Sequence, residues 1–554
     1  MRHGTSWITL SLLFLAGCSG GGTAANGGTG GSGGTGDAEP TTAELEAASR
    51  LLSRATFGAA YEEIRSAAIL GPEAWVEDQF AQPTTTHVEV SNALIDTFGE
   101  DAEDPAAFWR LAWWNATMNA EDQLRQRIAF ALSEIFVVSA TVEELAEPPP
   151  ALSIYYDMLL EHAFGNFRDL LTDVTLSPFM GIYLSHVNNA RANPARNTFP
   201  DENYAREVMQ LFSIGLFELN NDGSEKLDGE GMPIPTYDNE DIREFAKVFT
   251  GLSFGGPEAS FGNREPVLEL PMQMFETAHE PGEKRLLGGV VLPAGQPGLT
   301  DIDAAIDNLF NHPNVGPFIG RQLIQRLVTS NPSPEYIERV ARAFNETPRG
   351  DMKRVVRAVL LDPEATAPPG TNDDFGKLRE PFVRYVALNR QLNATSEDGE
   401  TFANLALLVQ ELTRQHVFTS PSVFNFFSPS FRPSAEFVER DLVGPEFQIT
   451  TSSGIVAVTN LIAFSILDEP MQIGDGFPGV TLDLSDFQAL ADDPVALVDR
   501  LDLVFTYGTM SDSTKEAIVA AVSVPRDEDD FTDDRRTEVA IYLTLVSPDY
   551  ATEL

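Results

Sequence analysis

The sequence predicts a mainly α-helical protein, a large multi-helix globular body with a minor β-hairpin decoration. Apolar residues recur at helical spacing over most of the chain after residue 41. The marked segments carry helix start and stop signals, with Pro at first positions and Ser or Thr just before them. Two stretches read otherwise. Residues 215–237 form a polar hairpin around the Asn221-Asp222-Gly223 turn, and 266–292 looks strand-like, with His279 in its turn region.

Taken in order, 42–82 holds three short helices, the first capped by Thr42 and the third opened by Pro72. Residues 105–119 are aromatic-rich (Phe108, Trp109, Trp113, Trp114), a pattern of core packing or of a sugar-stacking platform. Residues 121–140 are the clearest long helix, with Leu124, Ile128, Leu132 and Ile135 on its stripe. A helix pair at 153–164 and 166–176 breaks at Gly165 and carries Glu161, His162, Asp169 and Asp173. Further helices follow at 200–214, 238–254, 302–310, 315–328, 334–344, 352–361, 377–392, 402–415 and 455–466, with Ser333 a good cap for that at 334. Weaker amphipathic segments run to Leu545, and the C-terminal portion is the one part that reads as separable.

The N-terminus indicates export. Arg2 and His3 precede an apolar run at 7–15 that is too short to span a bilayer. Leu15-Ala16-Gly17-Cys18 is similar to a bacterial lipobox, so residues 1–18 read as a lipoprotein signal peptide with Cys18 as the lipidated residue. Ser19 in place of aspartate, by resemblance to Gram-negative lipoproteins, directs sorting to the outer membrane or cell surface. Cys18 is the sole cysteine, which excludes an intramolecular disulfide and a Cys-based metal site. Residues 19–40 form a Gly-rich disordered tether with a reach of roughly 25 Å, and 41–554 is the folded body.

The formal charge of −46, from 83 acidic and 37 basic residues, argues against nucleic acid as a partner, because little is present to neutralise phosphates.

The candidate site lies on the helix at 200–214. Tyr204, Val208 and Leu211 give it a buried face, while Asn203, Glu207 and Gln210 form a polar line, with Asp201 and Glu202 at its start and Arg206 four residues after Glu202. A buried polar line must find hydrogen-bond partners. Hydrolysis of a polymer needs two acids with separated pKa values, and Glu207, Asp201 and Glu202, with Asp169 or Asp173, are the candidates. His162 is the accompanying catalytic candidate, and Asn203, Arg206, Gln210 and His186 are the binding candidates. An internal salt-bridge and amide network is the structural alternative. Polar groups at Arg321, Gln322, Gln325 and Arg326, and at Arg379 and Glu380, are possible partners of these acids. Asn220, Asp222 and Asp228 make either a calcium loop or a plain turn. His312 reads as a turn residue and His416 as a helix-end residue. No nucleophile elbow, H-E-x-x-H motif or P-loop is assigned.

Several stretches together resemble the bacterial family called domain of unknown function 1800. They are RLLSRATFG (50–58), QLRQRIAFALSEIFVVS (123–139), PDENYAREVMQLFSIGL (200–216), GKLREPFVRY (376–385) and PSVFNFFSP (421–429), with similar blocks at 155–185, 233–251 and 310–334. The resemblance implies an exported, predominantly helical protein acting with a partner of the family called domain of unknown function 1501. It implies no reaction and no catalytic residue. Two expectations follow: a cell-surface binding or assembly factor, or a hydrolase of an extracellular polymer.

Overall fold

The first helix is capped by Thr41, one residue before the expected cap Thr42, which is instead its first residue. Thr41 accepts the N–H of Glu44, and the Glu44 carboxylate accepts the N–H of Thr41, a reciprocal box that starts α1 (Thr42–Ala55). The structure is a computed structural model that describes residues 39–99, 108–146, 150–399, 401–402, 409–410, 412–467, 478–523 and 532–554. The expected lipobox with Cys18 and nearly all of the expected tether lie outside the described residues. From Pro40 to Leu554 the chain forms one unit.

Helices dominate, and no strand exceeds two residues among the described residues. After α1 come α2 (Tyr61–Leu70), α3 (Pro72–Ala81), α4 (His87–Phe98), α5 (Phe108–Asn119) and α6 (Gln123–Ser133). Then follow α7 (Glu143–Ala146), α8 (Ala151–His162), α9 (Phe167–Leu176), α10 (Pro178–Tyr183), α11 (Asn203–Gln210) and α12 (Asn239–Val248). The next are α13 (Gly298–Phe310), α14 (Val315–Leu327), α15 (Pro334–Asn345), α16 (Met352–Leu360) and α17 (Pro381–Gln391). Ser333 caps α15 by accepting the N–H of Tyr336, as its position predicts.

The long helix expected over 121–140 is shorter, ending at Ser133. Beyond it Ile135, Phe136, Val137 and Val138 are all buried, so the chain there is walled in on every side and has no helical stripe to keep. Trp109, Trp113 and Trp114 are core residues: Trp113 meets Phe57 edge-on at 5.3 Å, and Trp114 donates to His416 at 3.0 Å. His416 is therefore a fully buried acceptor, where the sequence suggests a helix-end charge; burial pushes it down to about 3.

The 215–237 segment is a pair of nested turns, bridged at Leu219–Glu225 and Leu227–Pro233. In 266–292 the strand content reduces to β2 (Gln273–Met274), paired with β1 (Leu252–Ser253), and to β3 (Lys284–Arg285), paired with β4 (Val291–Leu292).

The C-terminal portion is tied to the rest. β8 (Thr552–Glu553) pairs with β5 (Lys377–Leu378), β6 (Thr395–Ser396) pairs with β7 (Val480–Thr481), and Arg54 of α1 lies 3.6 Å from Glu553. A second apolar core joins Ala48 and Leu52 of α1 and Leu388 of α17 to the helix Ser452–Leu467 and the C-terminal helices. Gly58 turns the chain after α1 at φ +116°, where a Cβ would stand 2.9 Å from the Ala387 Cα, so only glycine lets the two backbones meet. Among the described residues no helix is long and apolar enough to cross a membrane.

Candidate functional site

α11 is held as its sequence predicts on the apolar side. Tyr204, Ala205, Val208 and Met209 are buried, and Phe212 follows them into the core. Its polar side does not converge. Asp201 is exposed and accepts the N–H of Asn203 at 2.8 Å, and Asn203 is itself exposed. Glu202 lies 3.5 Å from Arg206 and 3.8 Å from Arg243. Gln210 accepts from the Tyr237 hydroxyl at 3.4 Å. Glu207 is 5 % exposed, and its Oε2 has no hydrogen-bond partner. Burial raises its pKa, opposed by the neighbouring Arg206 charge.

The two histidines turn elsewhere. His162 donates from Nε2 to Asp173 at 2.7 Å. His186 donates from Nε2 to the Thr175 carbonyl at 2.9 Å and stacks on the Tyr204 ring at 4.0 Å; burial pushes it down to about 4. The structure thus brings His186 to Tyr204, and joins neither histidine to Glu207.

The nested turns are self-satisfied. Asp222 Oδ1 accepts from Ser224 N at 2.9 Å, Asn220 donates to the Ser224 hydroxyl, and Asp228 Oδ1 accepts from Glu230 N and Met232 N in the other turn. Asp222 and Asp228 thus serve two turns and share no centre, as plain turn chemistry requires. Among the described residues no group of three or more His, Cys, Asp or Glu side chains is placed to hold a metal ion.

An open cleft of about 670 Å³ lies beside α8, α9 and the start of α10. Its polar lining includes Asp157 and Glu161, one turn apart on α8, together with Asp173 and Glu269. Tyr155 and Phe179 contribute to its apolar lining. Asp157 accepts the N–H of His87 at 2.7 Å and of Val88 at 3.0 Å, so it caps α4. Burial pushes Asp157 up to about 6, against the two N–H groups that favour its charge. That cap displaces Thr86, which precedes α4 with no capping bond and whose hydroxyl oxygen is buried without a partner. Ser177 repeats the pattern at α10: it holds N-cap dihedrals, is 6 % exposed, and its hydroxyl caps nothing. Both hydroxyl residues line the cleft. Arg125 is there too, but donates to the Leu160 carbonyl at 3.1 Å and stands 3.6 Å from Asp122.

The second polar concentration is deep in the core. Arg326 stands 3.6 Å from Glu134, and Arg127 donates to the Arg326 carbonyl at 3.0 Å. Asn425 donates to Glu134 at 3.1 Å, Lys377 pairs with Glu446 at 2.9 Å, and Gln415 donates to Glu380. Burial and the neighbouring Glu380 carboxylate push Glu134 up to about 8. So Arg326 meets Glu134 rather than the acids at 201–207, while Arg379 lies over the Tyr550 ring at 4.9 Å.

A family model described as a protein of unknown function (DUF1800) matches residues 50–552. The chain belongs to the DUF1800 family. Neither a curated protein nor a solved structure matches it. In this DUF1800 body, four of the motif stretches meet at the buried network: Arg127 and Glu134, Arg326, Lys377 and Glu380, and Asn425 come from segments far apart in sequence.

Three features lie outside the sequence reading. Glu134 is the one acid of the run 123–139, and that isolation is its signal. Asp157, at i−4 to Glu161 on an apolar helix, is readable from spacing. Finally, Gly251-Leu252-Ser253-Phe254-Gly255 fits the G-x-S-x-G spacing that the sequence reading treats as absent. Its context is wrong for an elbow. Ser253 lies in β1, fully buried, and donates to Asn188 at 2.6 Å, while His279 is held by the Thr250 carbonyl at 2.8 Å and Asp301 at 3.0 Å.

Proposed function

We propose that this DUF1800 protein is an exported, lipid-anchored cell-surface binding or assembly factor that acts with a neighbouring exported partner, of the domain of unknown function 1501 family. One observation carries the reading. The cleft beside α8–α10 presents carboxylates and two hydroxyls that cap no helix over a partly apolar lining, within the volume range of ligand pockets. The hydrolase alternative draws less support. Asp201, Glu202 and Glu207 go to a turn, to ion pairs and to an isolated buried position, so no two of them act on one reacting atom from a common cavity.

Fractionation with metabolic lipid labelling tests the anchor. Cys18→Ser is expected to lose the label and leave the membrane fraction; equal labelling and retention would overturn the anchoring. Co-purification of the tagged chain with its co-expressed domain of unknown function 1501 neighbour tests the partnership. Failure of the two to associate at micromolar concentration would overturn that part.

A further inference from the structure

We propose that the cleft beside α8–α10 binds an alkylammonium group carried on an apolar body. This names the ligand class for the binding reading above and rests on it.

Glu161, Asp173 and Glu269 are exposed on the rim as acceptors, Asp173 already engaged by His162. Arg125, the guanidinium of the lining, gives Nη1 to a carbonyl and sets its charge 3.6 Å from Asp122, while its Nε is buried without a hydrogen-bond partner. Thr86 and Ser177 stand at helix starts yet cap neither helix, and the Thr86 oxygen has no hydrogen-bond partner. A serine at such a position ordinarily takes a backbone N–H of the first turn. Here Asp157 holds the amides of α4 in place of Thr86, and Ser177, itself 6 % exposed, lines the cleft with a hydroxyl that caps nothing in α10. Polar groups are rarely left so without a partner to come.

Such a lining is rich in acceptors and negative in sum, so its ligand is a hydrogen-bond donor. An anion is excluded by repulsion. A neutral polyol would strip water from the carboxylates without returning charge, whereas an ammonium supplies three N–H donors and the compensating charge together. Exposed Leu270, with half-buried Ile154 and Met158, then offers apolar surface to the attached carbon chain. The ammonium has two possible sources, a free polyamine or a lysine on an exposed segment of a partner protein.

Calorimetric titration of the full mature chain in detergent, with spermidine and with a terminally blocked Lys–Leu octapeptide as probes, tests this. Saturable binding of either probe is expected; spermidine alone identifies a free polyamine, and the peptide alone identifies a protein lysine. The double variant Glu161→Gln/Glu269→Gln should weaken binding by about tenfold or more, through loss of charge-assisted bonds. Glu335→Gln/Glu436→Gln, which neutralises exposed acids outside the cleft, should change it less than about twofold at physiological salt. Absence of saturable binding overturns the assignment, and so does equal weakening in both double variants, which would reduce the attraction to overall charge. Either result leaves the anchoring and the partnership to be judged by their own tests.

Discussion

Asp157 holds the backbone amide of His87 at 2.7 Å across seventy residues of chain. A helix start is thus satisfied by a side chain from a different helix, and the local cap Thr86 is released. Asp157→Ala should therefore cost roughly 1 kcal/mol in urea unfolding, within the range of lost caps. Thr86 can rotate back to recover part of that. In a Thr86→Ala background the same change should cost more, a non-additivity that marks two residues competing for one role. The titration adds a second readout. Asp157 is raised from 3.8 to about 6 on folding, so its contribution is fully present below pH 3.8 and is lost as pH rises through 6. Asp157→Asn should flatten that part of the stability profile.

Asp157 also marks where sequence reading stops. α8 and α9 were legible because Tyr155, Tyr156, Leu159 and Leu160 in one, and Leu170, Leu171 and Val174 in the other, recur at helical spacing and are buried. Pro72 and Ser333 were legible because caps act within one turn. The partner of a buried acid is different in kind. Nothing local tells Asp157 to meet His87, Arg326 to meet Glu134, or Lys377 to face Glu553 across β5 and β8. The site at α11 failed for the same reason: burial of Glu207 followed from its helix face, but His162 and His186 were already committed to Asp173 and Thr175. The helix from Gln123 stops at Ser133, short of the expected end, because a segment buried all round leaves no periodic signal to end on.

Glu207→Gln should make the protein more stable near neutral pH. The carboxylate is buried with Oε2 unpartnered, and burial raises its pKa above 4.5. A raised folded value means that its contribution is lost as pH rises above 4.5 and through that value. The amide keeps the shape and removes the charge. Thermal midpoints compared at pH 5 and pH 8 should show the variant gaining on the parent at the higher pH. A loss of stability at both would indicate a partner that the ionised form needs.

The nested turns give a calcium test. Asp222 Oδ1 is engaged by the Ser224 amide and hydroxyl, both of which lower its pKa. Asp222→Ala should loosen the turn and lower the midpoint slightly, by the same amount with calcium and with chelator. A midpoint that rises with calcium in the parent and not in the variant would establish binding there.

Glu134 offers the widest pH window. It is 4 % exposed, accepts from Asn425, and faces Arg326, Arg127 and Glu380. Desolvation comes first among the causes that push it up to about 8, the Glu380 carboxylate second, with Arg326 opposing both. Because the folded value exceeds the unfolded 4.5, its contribution is fully present below pH 4.5 and is lost as pH rises through 8. The parent should therefore lose stability between pH 6 and pH 9 in denaturant titrations. Glu134→Gln keeps an acceptor for Asn425 and cannot ionise, so its profile should be nearly flat across that window. Glu134→Leu should behave differently again. It removes the acceptor and leaves Arg326 beside a hydrocarbon, and truncating one member of a buried pair costs about 3–5 kcal/mol. A parent profile that is level from pH 6 to pH 9, or a Glu134→Gln profile that still falls, would show that the network holds this carboxyl in its ionised form.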